Sequence, residues 1–155
     1  MAAPAVVNGW ALYAHPQFLA ALEERTAFVE AAKRKNPDDY RRSDDAKILA
    51  AIRHLIFERI PANPGDKQFR LGGTLGHAYK NWFRAKFFQQ YRLFFRYDSR
   101  AKAIVYAWLN DEDSLRAYGK KTDAYAVFAA KLASGNPPDD FAALLKSARP
   151  LTDQT

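Results

Sequence analysis

Between Trp82 and Tyr125, basic side chains recur at every second position of segments that are otherwise apolar. Arg84 and Lys86 alternate with Phe83, Ala85 and Phe87; Arg92 and Arg96 alternate with Leu93, Phe95 and Tyr97. A period of two on a strand sends neighbours to opposite faces. Both segments therefore place an apolar row on one face and a row of cations on the other. Guanidinium forks bind phosphate oxygens two at a time. Phe94 shares the face of Arg92 and Arg96, and is expected to offer a ring on which a base can stack. A second group, Arg116, Tyr118, Lys120 and Lys121, follows the third strand segment, where loops carry functional groups. The face reads as a phosphate-binding groove for RNA. Its bland alternative is a solvated edge guarded by cations.

The chemistry such a groove could perform is narrowed by what the chain lacks. There is no cysteine, so thiolate zinc sites are excluded. His15, His54 and His77 are scattered and form no metal spacing; His15 reads as a helix-entry residue, His54 as a packing residue, and His77 as a loop residue near the basic strands. The run Asp111-Glu112-Asp113 reads as acids in a first helical turn. No Walker loop, nucleophile elbow or dinucleotide fingerprint is present. Neither metal nor cofactor is expected. RNA carries its own nucleophile, the 2′-hydroxyl, and needs a base, a stabilised phosphate and a proton for the leaving oxygen. Crowding by like charges lowers a lysine pKa toward neutrality. Lys86, flanked by Arg84 and facing Arg92 or Arg96 across a hairpin, is the candidate base, and fixed arginines would stabilise the growing charge.

The elements that must position these residues follow from periodicity and punctuation. Residues 5–14 read as a strand interrupted by Gly9. Pro16 opens a helix that ends at Asn36-Pro37. Asp44 or Asp45 caps a second helix with Ile48, Leu49, Ile52, Leu55, Ile56 and Ile60 as its stripe, which the prolines at 61 and 64 close. Joined this tightly, the two helices should form an antiparallel hairpin. Residues 61–81 read as an irregular loop with one short strand. Three strands follow near 82–88, 91–98 and 103–109, paired antiparallel through short turns, the third apolar throughout and therefore central. A short helix from Asn110 to Gly119, one capped by Thr122 or Asp123, and one over 139–147 complete the chain. The expected fold is α+β, a single domain over 1–155, with an N-terminal helical hairpin packed on a small antiparallel sheet and helices at the C-terminus.

Charge distribution agrees with the groove. The net charge is +7, yet residues 1–60 carry nine Lys/Arg against eight Asp/Glu. From Lys67 to Lys102, nine basic residues, Lys80 among them, face Asp98 alone. The excess belongs to one region and points to an acidic partner. The first residues do not read as a signal peptide, and no apolar run approaches the ~18–20 residues that span a bilayer. A cytoplasmic protein is expected.

Four segments then carry a resemblance: Asn8-Gly-Trp-Ala-Leu-Tyr-Ala-His-Pro16, Tyr91-Arg-Leu-Phe-Phe-Arg-Tyr97, Trp108-Leu-Asn-Asp111 and Leu115-Arg-Ala-Tyr-Gly-Lys-Lys-Thr-Asp-Ala-Tyr125. They closely resemble the YhaV toxin family of the RelE superfamily of bacterial toxin–antitoxin systems, over Val7 to Pro138. The resemblance implies a ribosome-associated messenger-RNA endonuclease that halts translation and growth. It implies neutralisation by a PrlF-type antitoxin with an AbrB-like DNA-binding domain. Arg84 and Lys86 match the superfamily's paired basic strand positions, and Arg92 its strand arginine. One departure stands out: Asn110-Asp-Glu112 occupies the place of a basic residue past the last core strand. Arg116 or Lys120 is left for that role, with Tyr118 or Tyr125 as the aromatic. The expected catalytic set is thus Arg84, Lys86, Arg92, Arg116, Tyr118 and Lys120, with Lys80, Phe94, Arg96, Lys121 and Tyr125 as RNA contacts. Two alternatives remain open: an inhibitor that occupies the ribosome or RNA without cutting, and a ParE-like poison of a DNA enzyme.

Overall fold

The computed structural model describes residues 3–153. The chain opens with strands, not helices. β1 (Val6–Val7) and β2 (Trp10–Ala14) pair antiparallel around Asn8-Gly9, both with positive φ, 51° and 82°. Asn-Gly is a strong signal for a tight hairpin. It turns the single strand expected over 5–14 into two.

α1 (Pro16–Lys35) starts as expected on Pro16; His15 caps it, its Nδ1 accepting from the Gln17 amide at 3.1 Å. α2 (Asp44–His54) is capped one residue earlier than expected, by the Ser43 hydroxyl, which accepts from the Ala46 amide. It loosens into a π turn over Leu55–Arg59 and ends in the short α3 (Ile60–Ala62). His54 is exposed and bonds Glu58 one turn on, so it is not a packing residue. The helical hairpin exists, but it sits between β2 and the later strands.

β3 (Phe83–Phe87), β4 (Tyr91–Asp98) and β5 (Ala103–Leu109) pair antiparallel as expected, and β5 is buried along its whole length. The sheet order is β1-β2-β5-β4-β3, with β6 (Arg149–Pro150) joined to β2. β2 lies parallel to β5, so the sheet is mixed where an antiparallel one was expected. A parallel partner becomes possible because the two-helix excursion carries the chain back to the same end. After β5 the expected helix shrinks to a 3-10 turn, Glu112–Ser114, with Asp111 and Ser114 in a capping box. α4 (Ala124–Ala133), capped by Asp123, and α5 (Phe141–Ser147), capped by Asp140, follow.

Each face of the sheet holds a core. α1 and α2 cover the face of Leu12, Leu93, Phe95, Ile104 and Tyr106. α4 and α5 cover the opposite face, where Trp82, Phe94, Val105, Trp108, Phe128 and Leu144 meet. A bulge opposite Phe94/Phe95 puts Ala107 and Trp108 on this second face together. Among the described residues no helix is long and apolar enough to cross a membrane.

Candidate active site

The basic alternation does place its residues on one face. The register opposes Lys86 to Arg92 and Arg84 to Phe94. That face is not a bare row of cations, however, because α4 lies across its middle. Phe94 stacks on Phe128 at 4.2 Å and on Trp108 at 5.9 Å and is 0% exposed. No base can reach its ring, so Phe94 does not have the expected stacking role. The apolar positions of α4 supply the reason. Covering that ring is worth roughly 1.5–3 kcal/mol, and only the packed fold reveals which helix does so. What remains is a cluster of cations at the hairpin end of the sheet and a single arginine, Arg96, at the other.

At the hairpin end, Tyr125 on the first turn of α4 joins the strands to the helix. Its hydroxyl accepts from Nε of Arg84 and from Nε of Arg92, each at 3.0 Å. Arg84 Nη1 donates to the carbonyls of Gln68 and Arg70 at 3.1 and 2.8 Å. Arg92, only 7% exposed, donates through Nη1 to the carbonyls of Gln89 and Tyr91 at 2.7 and 2.9 Å. Every one of these acceptors is neutral. Hydrogen bonds from a charged donor contribute about 1.5–3 kcal/mol each, which offsets part of the desolvation of Arg92 without cancelling its charge. Among the described residues, Nη2 of both guanidinium groups makes no hydrogen bond. Two lone pairs of one phenol oxygen thus fix two arginines whose second forks stay free. With both lone pairs engaged, the Tyr125 hydroxyl can itself only donate.

The β3–β4 turn is braced against this cluster. Phe88 and Gln89 hold φ of 44° and 58°, a left-handed conformation that costs about 1–2 kcal/mol per residue. The bracing comes from Asn110, a buried side chain that sequence reasoning registered only as a departure. Its Oδ1 accepts from the Arg92 amide at 2.7 Å, and its Nδ2 donates to the carbonyls of Gln90 and Ser114 at 3.0 and 2.9 Å. The Arg116 amide donates to the Gln90 carbonyl at 3.0 Å. Hairpin turn, end of β5 and Arg116 loop are therefore one unit. Lys86 stands exposed on the same face beside Arg92.

Arg116 lies between two rings, its guanidinium carbon 4.9 Å from the Tyr125 centroid and 5.1 Å from that of Tyr118. Its Nη1 pairs with the Asp123 carboxylate. Burial pushes the Asp123 carboxyl up, but the Arg116 bond and the Ala117 and Tyr125 amides outweigh it and hold the group below its ordinary value. Arg116, Tyr118, Lys120, Lys121 and Tyr125 border a cleft of about 650 Å3. Tyr118 is 90% exposed.

Arg96 does not join them. Its Nη1 donates to the Asp139 carbonyl, and its guanidinium lies over Trp82 and Phe141. Burial lowers its pKa, opposed by Asp139, Asp140 and Asp98. It ties α5 to the sheet. Lys80 lines a separate cleft with His77. Among the described residues, no group of three or more His, Cys, Asp and Glu could hold a metal ion.

A second buried cation escaped the sequence reading altogether. Arg25 of α1 pairs with Glu112 at 2.9 Å and donates to the Tyr91 hydroxyl at 3.3 Å. It links the helical hairpin to the turn after β5. Only its place inside the α1 pattern, among residues expected to face water, could have hinted at this.

Residues 12–149 match the Toxin_YhaV family, described as "Toxin with endonuclease activity, of toxin-antitoxin system". The chain is 49% identical over 143 residues to Toxin YhaV of Escherichia coli O6:H1, covering 91% of this chain and 93% of that protein. It is 48% identical over 145 residues to Ribonuclease toxin YhaV of Escherichia coli K12, covering 92% and 94%. No solved structure matches.

Proposed function

Because the chain belongs to the YhaV family of toxins with endonuclease activity, we propose that its arginine cluster is the RNA-cutting centre of a single-domain, metal-independent messenger-RNA endonuclease. The observation that carries this reading is the pair of guanidinium groups fixed through one phenol oxygen, with neutral acceptors throughout and both Nη2 groups open. A cation whose partners are neutral keeps its field for a phosphate.

In this reading the free forks of Arg84 and Arg92 hold the nonbridging oxygens of the scissile phosphate. Tyr125, able only to donate, adds a third hydrogen bond to that phosphate. Lys86 takes the proton of the 2′-hydroxyl, whose oxygen attacks phosphorus. The bond to the 5′-oxygen breaks, leaving a 2′,3′-cyclic phosphate and a 5′-hydroxyl that receives a proton from the Arg116, Tyr118 and Lys120 side of the cleft. Lys121 contacts the backbone beyond. The two-helix hairpin, strand face and C-terminal loop suit a RelE-like arrangement in this family, with the hairpin set behind an opening pair of strands. The substrate would be mRNA on the ribosome in the cytoplasm, and the restraining partner a PrlF-type antitoxin.

The deciding experiment incubates purified protein with RNA in EDTA, with and without ribosomes, and maps the cut ends. Cleavage with cyclic-phosphate ends supports the reading, and retention of wild-type cutting by the Arg84→Ala/Arg92→Ala variant overturns the site. Growth arrest with intact transcripts would favour a non-cleaving binder, and a DNA-damage response would favour the ParE-like alternative.

A further inference from the structure

A second cleft, of about 730 Å3, opens beside β3 where that strand forms the sheet edge. Clefts of this size hold small ligands. Arg70, His77 and Lys80 line it, and among the described residues no carboxylate does. Its wall is the ring pair Phe83 and Tyr97, with centroids 4.9 Å apart. Gly72 and Gly76, at φ of 62° and 91°, leave the backbone bare at those two positions, and a Cβ at either would meet nothing within 4 Å. The loop is nonetheless held, because Leu71 and Leu75 are buried in the second core. Cations interleaved with aromatic faces over an accessible backbone are the features of a single-strand nucleic-acid site.

We propose that this cleft is a subsite for an unpaired nucleotide of the RNA, next to the bond being cut; it rests on the arginine cluster being the cutting centre. The two are physically continuous. The Arg70 carbonyl holds Arg84 Nη1 at 2.8 Å, and Arg70 is also one of the residues that line the cleft. Thr74, in the same glycine loop, borders the cleft of Tyr118 and Tyr125. Phe83 and Lys86 are three residues apart on β3, about 10 Å at the strand rise, and point to opposite faces, so a short run of nucleotides reaching both would pass around the β3 edge. A protein strand adding to the β3 edge fits less well. Arg70 already bridges to Phe83 there, and the Arg84 guanidinium occupies the carbonyls of Gln68 and Arg70.

The test cross-links the full chain by ultraviolet light to a 4-thiouridine oligoribonucleotide made uncleavable by 2′-O-methyl groups, and locates the adducts by mass spectrometry. Adducts are expected on peptides holding Phe83, Tyr97 or His77 as well as those holding Tyr118 or Tyr125. Arg70→Ala/Lys80→Ala should reduce the first set about tenfold and spare the second. In the same variant, the slope of log affinity against log salt should become shallower by about 0.7 for each phosphate no longer bound. Adducts confined to Tyr118 and Tyr125 overturn the subsite and leave the cutting centre standing. Adducts in the glycine-loop cleft alone uphold RNA binding there and overturn the arginine cluster. Adducts at neither overturn both. Protection of the cleft from hydrogen exchange by the antitoxin but not by RNA also overturns the subsite.

Discussion

Arg92 and Arg96 are four residues apart on one strand and share one face, yet the two ends of the sheet treat them differently. Arg92 is surrounded by a phenol oxygen and backbone carbonyls. Arg96 lies beneath α5 with Asp139, Asp140 and Asp98 around it. Arg92 is buried and Arg96 half-buried, and both donate to backbone carbonyls, so the difference lies in the charges around them. Carboxylates direct the positive field of Arg96 into the fold itself. Carbonyls and a hydroxyl hold Arg92 in place and leave its field for a ligand. Arg116 stands between these cases, anchored by Asp123 and enclosed by two rings. A basic residue in a basic patch is thus informative only once its partners are known.

The comparison breaks most directly on the arginines themselves. Arg92→Ala and Arg84→Ala should each lower the RNA cleavage rate by about 10²–10³-fold, the size of losing one preorganised donor to a growing oxyanion. Arg96→Ala should leave the rate near wild type and lower the melting temperature instead. An equal loss of cleavage in all three would erase the distinction.

Lys86→Ala should cost about 10²–10⁴-fold in rate, the range for general acid–base catalysis, with an unchanged melting curve because the side chain is exposed. Lys86→Arg should not restore activity, since a guanidinium stays protonated. Rescue by arginine would make position 86 a phosphate contact and not a base.

Tyr125→Phe sharpens the account of the anchor. It leaves two Nε donors without their acceptor and should lower stability by about 1–3 kcal/mol. If that misplacement is felt fully at the phosphate, cleavage falls by about 10–10²-fold. Wild-type cleavage and stability together would show that the shared hydroxyl is dispensable.

The smallest effect lies at Asp123. Its folded pKa is held below the ordinary carboxylate value of about 3.9. It therefore contributes stability that is present above that value and lost as pH falls below it. Asp123→Asn should melt earlier than wild type at neutral pH, and the gap should close in melts taken progressively below pH ~4. A gap constant with pH would mean that the Arg116 pairing stabilises nothing.

Much of the skeleton was legible. The strands over β3, β4 and β5, the central place of β5, the Pro16 start, and the Asp123 cap all rest on local signals. Asn8-Gly9 is an equally local hairpin signal, which the expectation of one strand interrupted by Gly9 leaves out. The parallel pairing of β2 with β5 was not local: it joins Ala11 to Ala103, and no periodicity encodes a partner so far along the chain. The site divided in the same way. Arg84, Lys86 and Arg92 declared themselves by alternation. Arg25 and Asn110 did not, because a buried polar residue acquires its role from neighbours that folding brings to it.

By itself the sequence determined which side chains share a face, since a strand's period of two is a property of consecutive residues. It also determined the family and the concentration of positive charge over residues 61–125. What covers that face was decided only by the tertiary structure. α4 buried Phe94 and turned the middle of the expected groove into core, and it carried Tyr125 to the two arginines that stayed open. The reason is physical: alternation is fixed by covalent geometry, whereas burial and hydrogen-bond partners depend on which distant segment packs against the strand.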